Sequence, residues 1–434
     1  MNFSAKAAYF HMTLTTIARP AISHFRWTIC ALLFFATTIN YVDRQVLSLL
    51  AKTLETTIGW NDIEYSNITT AFVAAYAIGL LGVGRLLDKF GTRIGFSVAV
   101  TVWSIAAMAH AAATTAFTFG IARAFLGLGE AANFPACNKI VAEWFPKKER
   151  ALAFGIFNSG ANVGATAAIL AVPFLYHRFG WQSAFVATGA LGFIWLAFWV
   201  LMYRKPDVHA RVSHTELALI QSDPPDRMED VPWRRLLPHR ATWSFSLGKF
   251  MTDGVWWFYL FWLPKYLQET FGLTLDAIVI PTLVAYNAAS VGSIAGGGFS
   301  SSLIERGWSV NAARKTAMLV CVLCVLPVFY APFSKSMWLV VGLVSLAMAA
   351  HQGWSANLFT IASDMFPRSA VGSVTGIGAT AGAVGGLLLQ KAAGYIVTWT
   401  HSYFLLFMIC GSAYVIALAI VQLLSPKLAP AELD

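Results

Sequence analysis

The sequence is poor in charge. Only 12% of its 434 residues are Asp, Glu, Lys or Arg, against about 25% in ordinary soluble domains. A soluble enzyme with an ionic surface is therefore excluded. Cysteine is scarce too. The five (Cys30, Cys137, Cys321, Cys324 and Cys410) all fall in or beside apolar runs. Cys321-x-x-Cys324 has the spacing of a redox or metal motif, but no second pair or His cluster accompanies it. The plainer reading is two small buried residues one helical turn apart. No nucleophile–base pair, metal cluster or cofactor motif stands at recognisable spacing, so no enzyme, metal or cofactor is expected. The glycine runs at Gly296, Gly297 and Gly298 and at Gly376, Gly378, Gly382, Gly385 and Gly386 lack the strand-before, helix-after setting of a phosphate loop. Close packing between helices explains them. The first 24 residues lack a clear signal-peptide apolar region and cleavage site. They read as a short cytoplasmic tail, with Met12 an alternative start.

Apolar residues are abundant: 57% of the chain, with 16 Trp and 32 Phe and a mean hydropathy of +0.63. That aromatic content suits interfacial belts and bulky helix packing. Segments long enough to span a bilayer, about 20 residues each, lie near 26–51, 65–87, 94–114, 117–140, 150–175, 182–203, 240–268, 277–303, 315–333, 337–361, 369–397 and 401–424. The expected fold is an all-α membrane protein with twelve transmembrane helices. The longest polar interruption, 204–239, divides them into two sets of six. The chain then reads as a cytoplasmic tail (1–25), a first half (26–203), a linker (204–239), a second half (240–424) and a cytoplasmic tail (425–434). Within the linker, Ser213-x-x-Glu216 ahead of Leu217 and Ile220 is a capping-box start for a short amphipathic helix. Asp223-Pro224-Pro225-Asp226 ends it.

A formal charge of +9 suggests nucleic acid only if its placement is ignored. With both termini cytoplasmic, all but eight of the 30 Lys and Arg fall in cytoplasmic segments, as the positive-inside rule requires. Lys52, Arg178, Lys265 and Lys335 lie in outer loops or helix ends. Arg44, Arg123, Lys249 and Lys391 lie inside spans. The expected location is the inner (cytoplasmic) membrane, with the lipid bilayer and not nucleic acid as partner.

The halves echo each other. Gly84-Arg-Leu-Leu-Asp88-Lys89-Phe-Gly91-Thr-Arg93 follows the second span. At the matching place after the eighth comes Gly297-Gly-Phe-Ser-Ser301-Ser-Leu-Ile-Glu-Arg306-Gly307. Glu143-Trp-Phe-Pro146 after the fourth span is matched by Asp364-Met-Phe-Pro367 after the tenth. Such a repeat implies a pseudo-twofold with a site at the midplane between the halves. The Gly84–Arg93 pattern resembles the cytoplasmic loop signature of the major facilitator superfamily. Tyr41-Val42-Asp43-Arg44, Arg123-x6-Glu130 and Trp144-Phe145-Pro146-x-x-Glu149-Arg150 resemble its anion:cation symporter branch. Phe134-Pro135-Ala136, Phe157-Asn158-Ser159-Gly160 and His351-Gln352-Gly353 are most similar to bacterial hexuronate transporters.

Charges inside spans cost about 2.5–3.5 kcal/mol each on insertion scales and mark substrate or ion paths. On the first span Asn40, Tyr41 and Arg44 share a face by i+3 and i+4 spacing, while Asp43 points about 100° away. Arg123 and Glu130, seven apart, lie on one face about 10 Å apart along the axis. Arg offers a planar fork for a carboxylate. Desolvation favours Glu130 holding a proton near neutral pH. An internal ion-pair network locking the fourth span to the first is the alternative reading. The resemblance implies more. Arg44 would bind the substrate carboxylate, with Tyr41 on its face, Asp43 and Glu130 would carry coupling protons, Arg123 would interact with these acids, and Tyr76 would line the site. Gly84, Asp88, Lys89, Gly91 and Arg93 would form the conformational loop motif. Ala161 stands where some sugar-acid relatives place Gln, which leaves that contact to Asn162, to Asn158, or unmade.

The second half offers hydroxyl-binding candidates: Trp256 or Trp257, His351, Gln352 and Asn357, with Asn287 weaker. Each has a plainer reading. A Trp packs, a His is held by a hydrogen bond, and Lys249 with Asp253 at i+4 neutralise one another. The expected activity is proton-coupled import of a small organic anion, a hexuronate such as galacturonate or glucuronate, by a monomer working through alternating access. Other sugar-acid or carboxylate symporters (galactonate, glucarate, tartrate) and organic-anion exchangers or efflux antiporters share the scaffold. A non-transporting sensor is disfavoured, because a polar loop of about 35 residues is too small for a signalling domain.

Overall fold

The computed structural model describes residues 24–222, 233–366, 368–428 and 431. Most of the expected N-terminal tail with Met12, half of the C-terminal tail, the linker breaker at 223–226 and Pro367 lie outside the described residues. The described chain is helical, with no strand. It opens with α1 (Phe25–Leu49) and a short α2 (Ala51–Ile58). α3 (Asp62–Ala109) carries the second and third spans. α4 (Ala116–Glu130) and α5 (Asn133–Trp144) share the fourth, and α6 (Lys147–Phe179) and α7 (Trp181–Met202) complete the first six. α8 (His214–Ile220) and α9 (Trp233–Leu236) lie in the linker. The second six are α10 (Arg240–Phe271), α11 (Val279–Glu305), α12 (Val310–Val325) with a 3₁₀ extension over Leu326–Phe333, α13 (Met337–Met365), α14 (Arg368–Thr400) and α15 (Phe404–Leu424).

Ten helical stretches among the described residues are long and apolar enough to cross a membrane. The other two of the twelve expected spans are α4 with α5, and α10. The fourth span is broken just after Glu130. Pro135 has no N–H for the Ala131 carbonyl and its ring crowds that carbonyl, so the span divides into helices of 15 and 12 residues. α10 is 32 residues long, but Arg240, Lys249, Asp253, Lys265 and Glu269 lower its hydropathy. α3 bends at Gly91 (φ 75°, ψ 161°). That backbone conformation is costly for any residue with a Cβ, and it separates the second span from the third.

The two sets of six use the same pairings. α1 packs on α6 as α10 packs on α14, and α3 packs on α4 as α11 packs on α13. Glycines set the close approaches at matching places. Gly160 and Gly164 of α6 lie on the Phe34 and Thr38 backbone of α1, and Gly385 of α14 lies on the Phe250 backbone of α10. Gly127 of α4 lies on Phe72 of α3, and Gly292 of α11 on Ala349 of α13. Lipid gives helices no hydrophobic drive to associate, so small residues that let backbones approach hold the bundle.

The seam between halves is formed by α3 with α14 and α6 with α11. At the face away from the linker it is tied by charge. Lys265 of α10, 1% exposed, contacts Glu55 of α2, Asp62 of α3 (3.0 Å) and Glu269 of its own helix (2.7 Å). Lys52 bridges Glu55 (2.7 Å) and Glu269 (3.3 Å), and the Tyr403 hydroxyl donates to Glu269 (2.6 Å). His177 meets Asp276 at 2.9 Å, and Lys391 donates to Asn67. At the linker end of the seam helices, Gly82, Gly84, Gly155, Gly297, Gly298, Gly372 and Gly376 face open space. The described ion pairs that join the halves all lie on the far face. The linker itself is clamped to the first half. Ser213 caps α8 through the Glu216 N–H (3.2 Å). The buried Glu216 carboxylate accepts from the backbone N–H of Phe25 and of Arg26 and pairs with the Arg26 guanidinium at 3.0 Å.

Candidate functional site

α1 brings its polar stretch to the middle of the bundle. Asn40, Asp43, Arg44 and Gln45 are all buried there, at 0–2% exposed. Arg44 Nε donates to Glu130 Oε2 at 2.5 Å, and Glu130 is the last residue of α4 and fully buried. This pair leaves Arg44 Nη2 and Glu130 Oε1 without a hydrogen-bond partner among the described residues. Four aromatic rings surround the guanidinium carbon: Tyr41 at 4.8 Å, Tyr76 at 4.9 Å, Phe72 at 5.4 Å and Trp257 at 5.7 Å. Rings in such positions hold a cation in place without consuming its N–H groups. An arginine with a spare N–H and one competing carboxylate is equipped to receive a second carboxylate.

Asp43 turns the other way, toward α7, where Thr188 stands beside it. Neither carboxylate oxygen has a well-formed hydrogen bond. A buried unpaired carboxyl is costly as an anion, and a proton removes that cost. Arg123 is fully buried and donates to backbone carbonyls, Arg44 O at 2.7 Å and Asp43 O at 3.4 Å. It thus fastens α4 to α1 through the main chain, with the acid side chains within electrostatic reach. Asn40 is buried with both amide atoms unpartnered.

The second-half candidates divide. Trp256 stacks flat on His351 (5.2 Å, 9° between planes), and His351 Nδ1 meets the Tyr414 hydroxyl at 2.6 Å. This group is held by its own contacts, and it is Trp257 that reaches Arg44. Asn357 donates to Gly296 O (3.0 Å) and Gly353 O (2.9 Å), which ties α13 to α11. Gln352 is half-buried. Lys249 and Asp253 pair at 2.8 Å. Asn162 is exposed on α6, and Asn287 is exposed with its amide on Leu283 O (2.8 Å). Phe72, Phe261 and Thr188 join the site without having been singled out from sequence. The signal available was the i, i+4 aromatic spacing of Phe72 with Tyr76 and of Trp257 with Phe261.

In the loop motif, Arg93 donates to Val200 O at 2.7 Å and so ties the bend of α3 to α7. Lys89 lies 5.4 Å from the Phe90 ring, Gly84 faces open space and Gly91 makes the bend. The Asp88 side chain lies outside the described residues. One acidic group resembles a metal site: Glu55, Asp62 and Glu269 lie within 4.8 Å of one another. The Lys265 ammonium sits among them and takes the place a metal ion would need.

Comparison with known proteins agrees with this architecture. Residues 33–390 match the family model described as Major Facilitator Superfamily. The chain is 31% identical over 397 residues to a probable galactarate/D-glucarate transporter of Bacillus subtilis (strain 168), covering 87% of each chain. It is 30% identical over 364 residues to the hexuronate transporter of Escherichia coli (strain K12), covering 82% of this chain and 84% of that one. It is 28% identical over 384 residues to a D-galactonate transporter of Escherichia coli O6:H1, covering 86% and 89%. Among solved structures, a bacterial homolog of the human lysosomal transporter Spinster in an inward-facing, occupied conformation matches with a TM-score of 0.72 at 20% identity, covering 94% of this chain and 98% of that one. A D-xylose-proton symporter matches with a TM-score of 0.71 at 14% identity over the same shares. Those two likenesses speak to the fold alone. With the twelve-span architecture, the repeated half and the matched family model together, this chain is a membrane transporter, not an enzyme, and belongs to the Major Facilitator Superfamily.

Proposed function

We propose that the protein is a proton-coupled importer of a sugar acid, most directly a hexuronate such as galacturonate or glucuronate. The Arg44–Glu130 pair carries this reading. Among the described residues Arg44 has one ion-pair partner, and that partner is a carboxylate of the same chemistry as the substrate's. A proton on Glu130 ends its claim on Arg44, and the guanidinium fork is then free for a substrate carboxylate. Asp43, buried and without a firm hydrogen bond, takes a second proton. With both acids neutral and Arg44 paired to substrate, the one charge left over is that of Arg123, which the Asp43 and Arg44 backbone carbonyls hold within the first half as the halves rock past one another. Residues 26–203 and 240–424 are the two moving bodies, and 204–239 links them on the cytoplasmic side. In that orientation the ion-paired far face is the outer one, both termini are cytoplasmic, and one chain suffices for transport. Relatives named for hexuronate, galactarate/D-glucarate and D-galactonate transport support the substrate class.

Charge counting gives the test. One proton per monoanion is electroneutral and responds to the pH gradient alone. Two protons move one net charge, worth about 2.3 kcal/mol per 100 mV. Purified protein in liposomes should accumulate glucuronate or galacturonate when the outside is acidic, and more so with the inside negative. Glu130→Gln should abolish accumulation while leaving exchange across the membrane. Uptake indifferent to both gradients would sink proton coupling, and exchange driven only by a counter-anion would select the exchanger.

A further inference from the structure

We propose that Trp257 is a specificity-determining residue of the transport site, supplied by the second half and seated by Gly386. The inference rests on the transport reading above. Three of the four rings around Arg44 come from the first half, on α1 and α3. The fourth, Trp257, comes from α10. Trp257 meets Tyr76 edge-on at 6.0 Å and Phe72 at 6.1 Å, and stacks on Phe261 at 5.6 Å. These contacts place its indole across the seam, against the same guanidinium that has a spare Nη2. The ring is half-buried, so part of it faces open space. A carboxylate docking on Nη2 brings the rest of its molecule past this indole.

The position of the ring is built in from behind. A Cβ at Gly386 of α14 would stand 2.7 Å from Trp257 Cδ1 and 3.2 Å from Nε1. Only a residue without a side chain leaves the indole where it is. Trp256, one residue earlier, is turned away and stacked on His351. The Arg44 guanidinium is therefore flanked by rings of the first half on one side and by the Trp257 indole, seated by Gly386, on the other. The exposed part of that indole selects the body of the sugar acid, while Arg44 selects its charge. A cyclic hexuronate presents the rigid C–H face of a pyranose chair to an indole, and an open-chain acid presents a flexible polyol. Two opposite changes probe the indole. Trp257→Phe withdraws it, and Gly386→Ala pushes it toward Arg44.

The test is the ratio of affinities, which a purely structural role leaves unchanged. Binding of glucuronate, galactonate and galactarate to purified protein is measured by ligand-dependent thermal shift, for wild type and both variants. Trp257→Phe should change the ratio of cyclic to open-chain affinity by about tenfold, as a gap of one or two methylenes does in a fitted pocket. Gly386→Ala should move the same ratio in the opposite direction. Ratios within twofold of wild type in both variants, with all proteins folded, would overturn the inference. If Trp257→Phe fails to fold, Gly386→Ala decides alone by the same criterion. A wild-type protein that binds none of the three acids removes the transport reading itself, a failure distinct from unmoved ratios.

Discussion

Lys265 should hold the far face shut, and its removal should open it. Its ammonium touches carboxylates from both halves: Glu55 and Asp62 from the first, Glu269 from its own helix. When the halves part on that face, Glu269 stays with Lys265 at i+4, while Glu55 and Asp62 leave. The contribution to closure is therefore the attraction to those two acids. Replacing Lys265 with Met leaves three carboxylates within 4.8 Å and only Lys52 to balance them. Two unit charges at that distance repel by about 3.5 kcal/mol at an effective dielectric of 20. Glu55 and Asp62 side chains are 23% and 22% exposed, so water and salt screen part of this. About 1.5–3 kcal/mol remains, or roughly a 10- to 150-fold shift from far-closed to far-open. Ser66 reports the change. It is buried under Gly394 of the other half and becomes accessible when the far face opens. In a cysteine-free background, Ser66→Cys should react with an impermeant maleimide at least tenfold faster from the far face when Lys265→Met is added. Glu55→Gln should act in the same direction and less strongly. An unchanged labelling rate in folded Lys265→Met protein would show that packing alone closes this face.

Other outcomes follow from the same geometry. Arg44→Lys keeps the charge but loses the fork, so sugar-acid binding measured by thermal shift should weaken by ~1.5–3 kcal/mol, roughly 10- to 150-fold. Asp43→Asn should abolish the dependence of liposome uptake on membrane potential while leaving its dependence on the pH gradient, if Asp43 carries the second proton. Gly91→Ala meets no neighbour, so its cost is the backbone alone at φ 75°. About 1–3 kcal/mol of stability should be lost, seen as a lower melting temperature with substrate specificity intact.

The fold was legible because its rules are coarse. Runs of about 20 apolar residues, the one long polar interruption and the placement of Lys and Arg lead to twelve spans in two halves. The details that escaped are local. Pro135 breaks the fourth span in a place where apolar composition continues unbroken through Ala131 and Ala132. The far-face ion cluster joins residues more than 200 apart in sequence, Glu55 with Lys265, and no spacing rule connects them. Ser213 and Glu216 mark the linker helix as a cap, but nothing local shows that Glu216 also receives Arg26 and seals α8 to the first half.

At the site, helical geometry already separates Arg44 from Asp43. Arg44 lies over Tyr41 on its own face, while Asp43 turns toward Thr188. What the single helix leaves open is which acid meets Arg44. That depends on the register of α4 against α1, which the Arg123 bonds to the Arg44 and Asp43 carbonyls fix and the contact of Gly127 with Phe72 supports from the α3 side. In this register Glu130, at the end of α4 where Pro135 has freed the helix, reaches the guanidinium. Arg123 is thereby a positioning residue. Its two terminal nitrogens donate to backbone, and through that fastening it sets Arg44 against Glu130 and leaves Asp43 apart. An arginine that paired with Asp43 would bind the nearer acid on its own helix and hold it in every conformation. Pairing with Glu130 instead places the competition between carboxylates across two helices, where motion of one against the other, or one proton, can settle it.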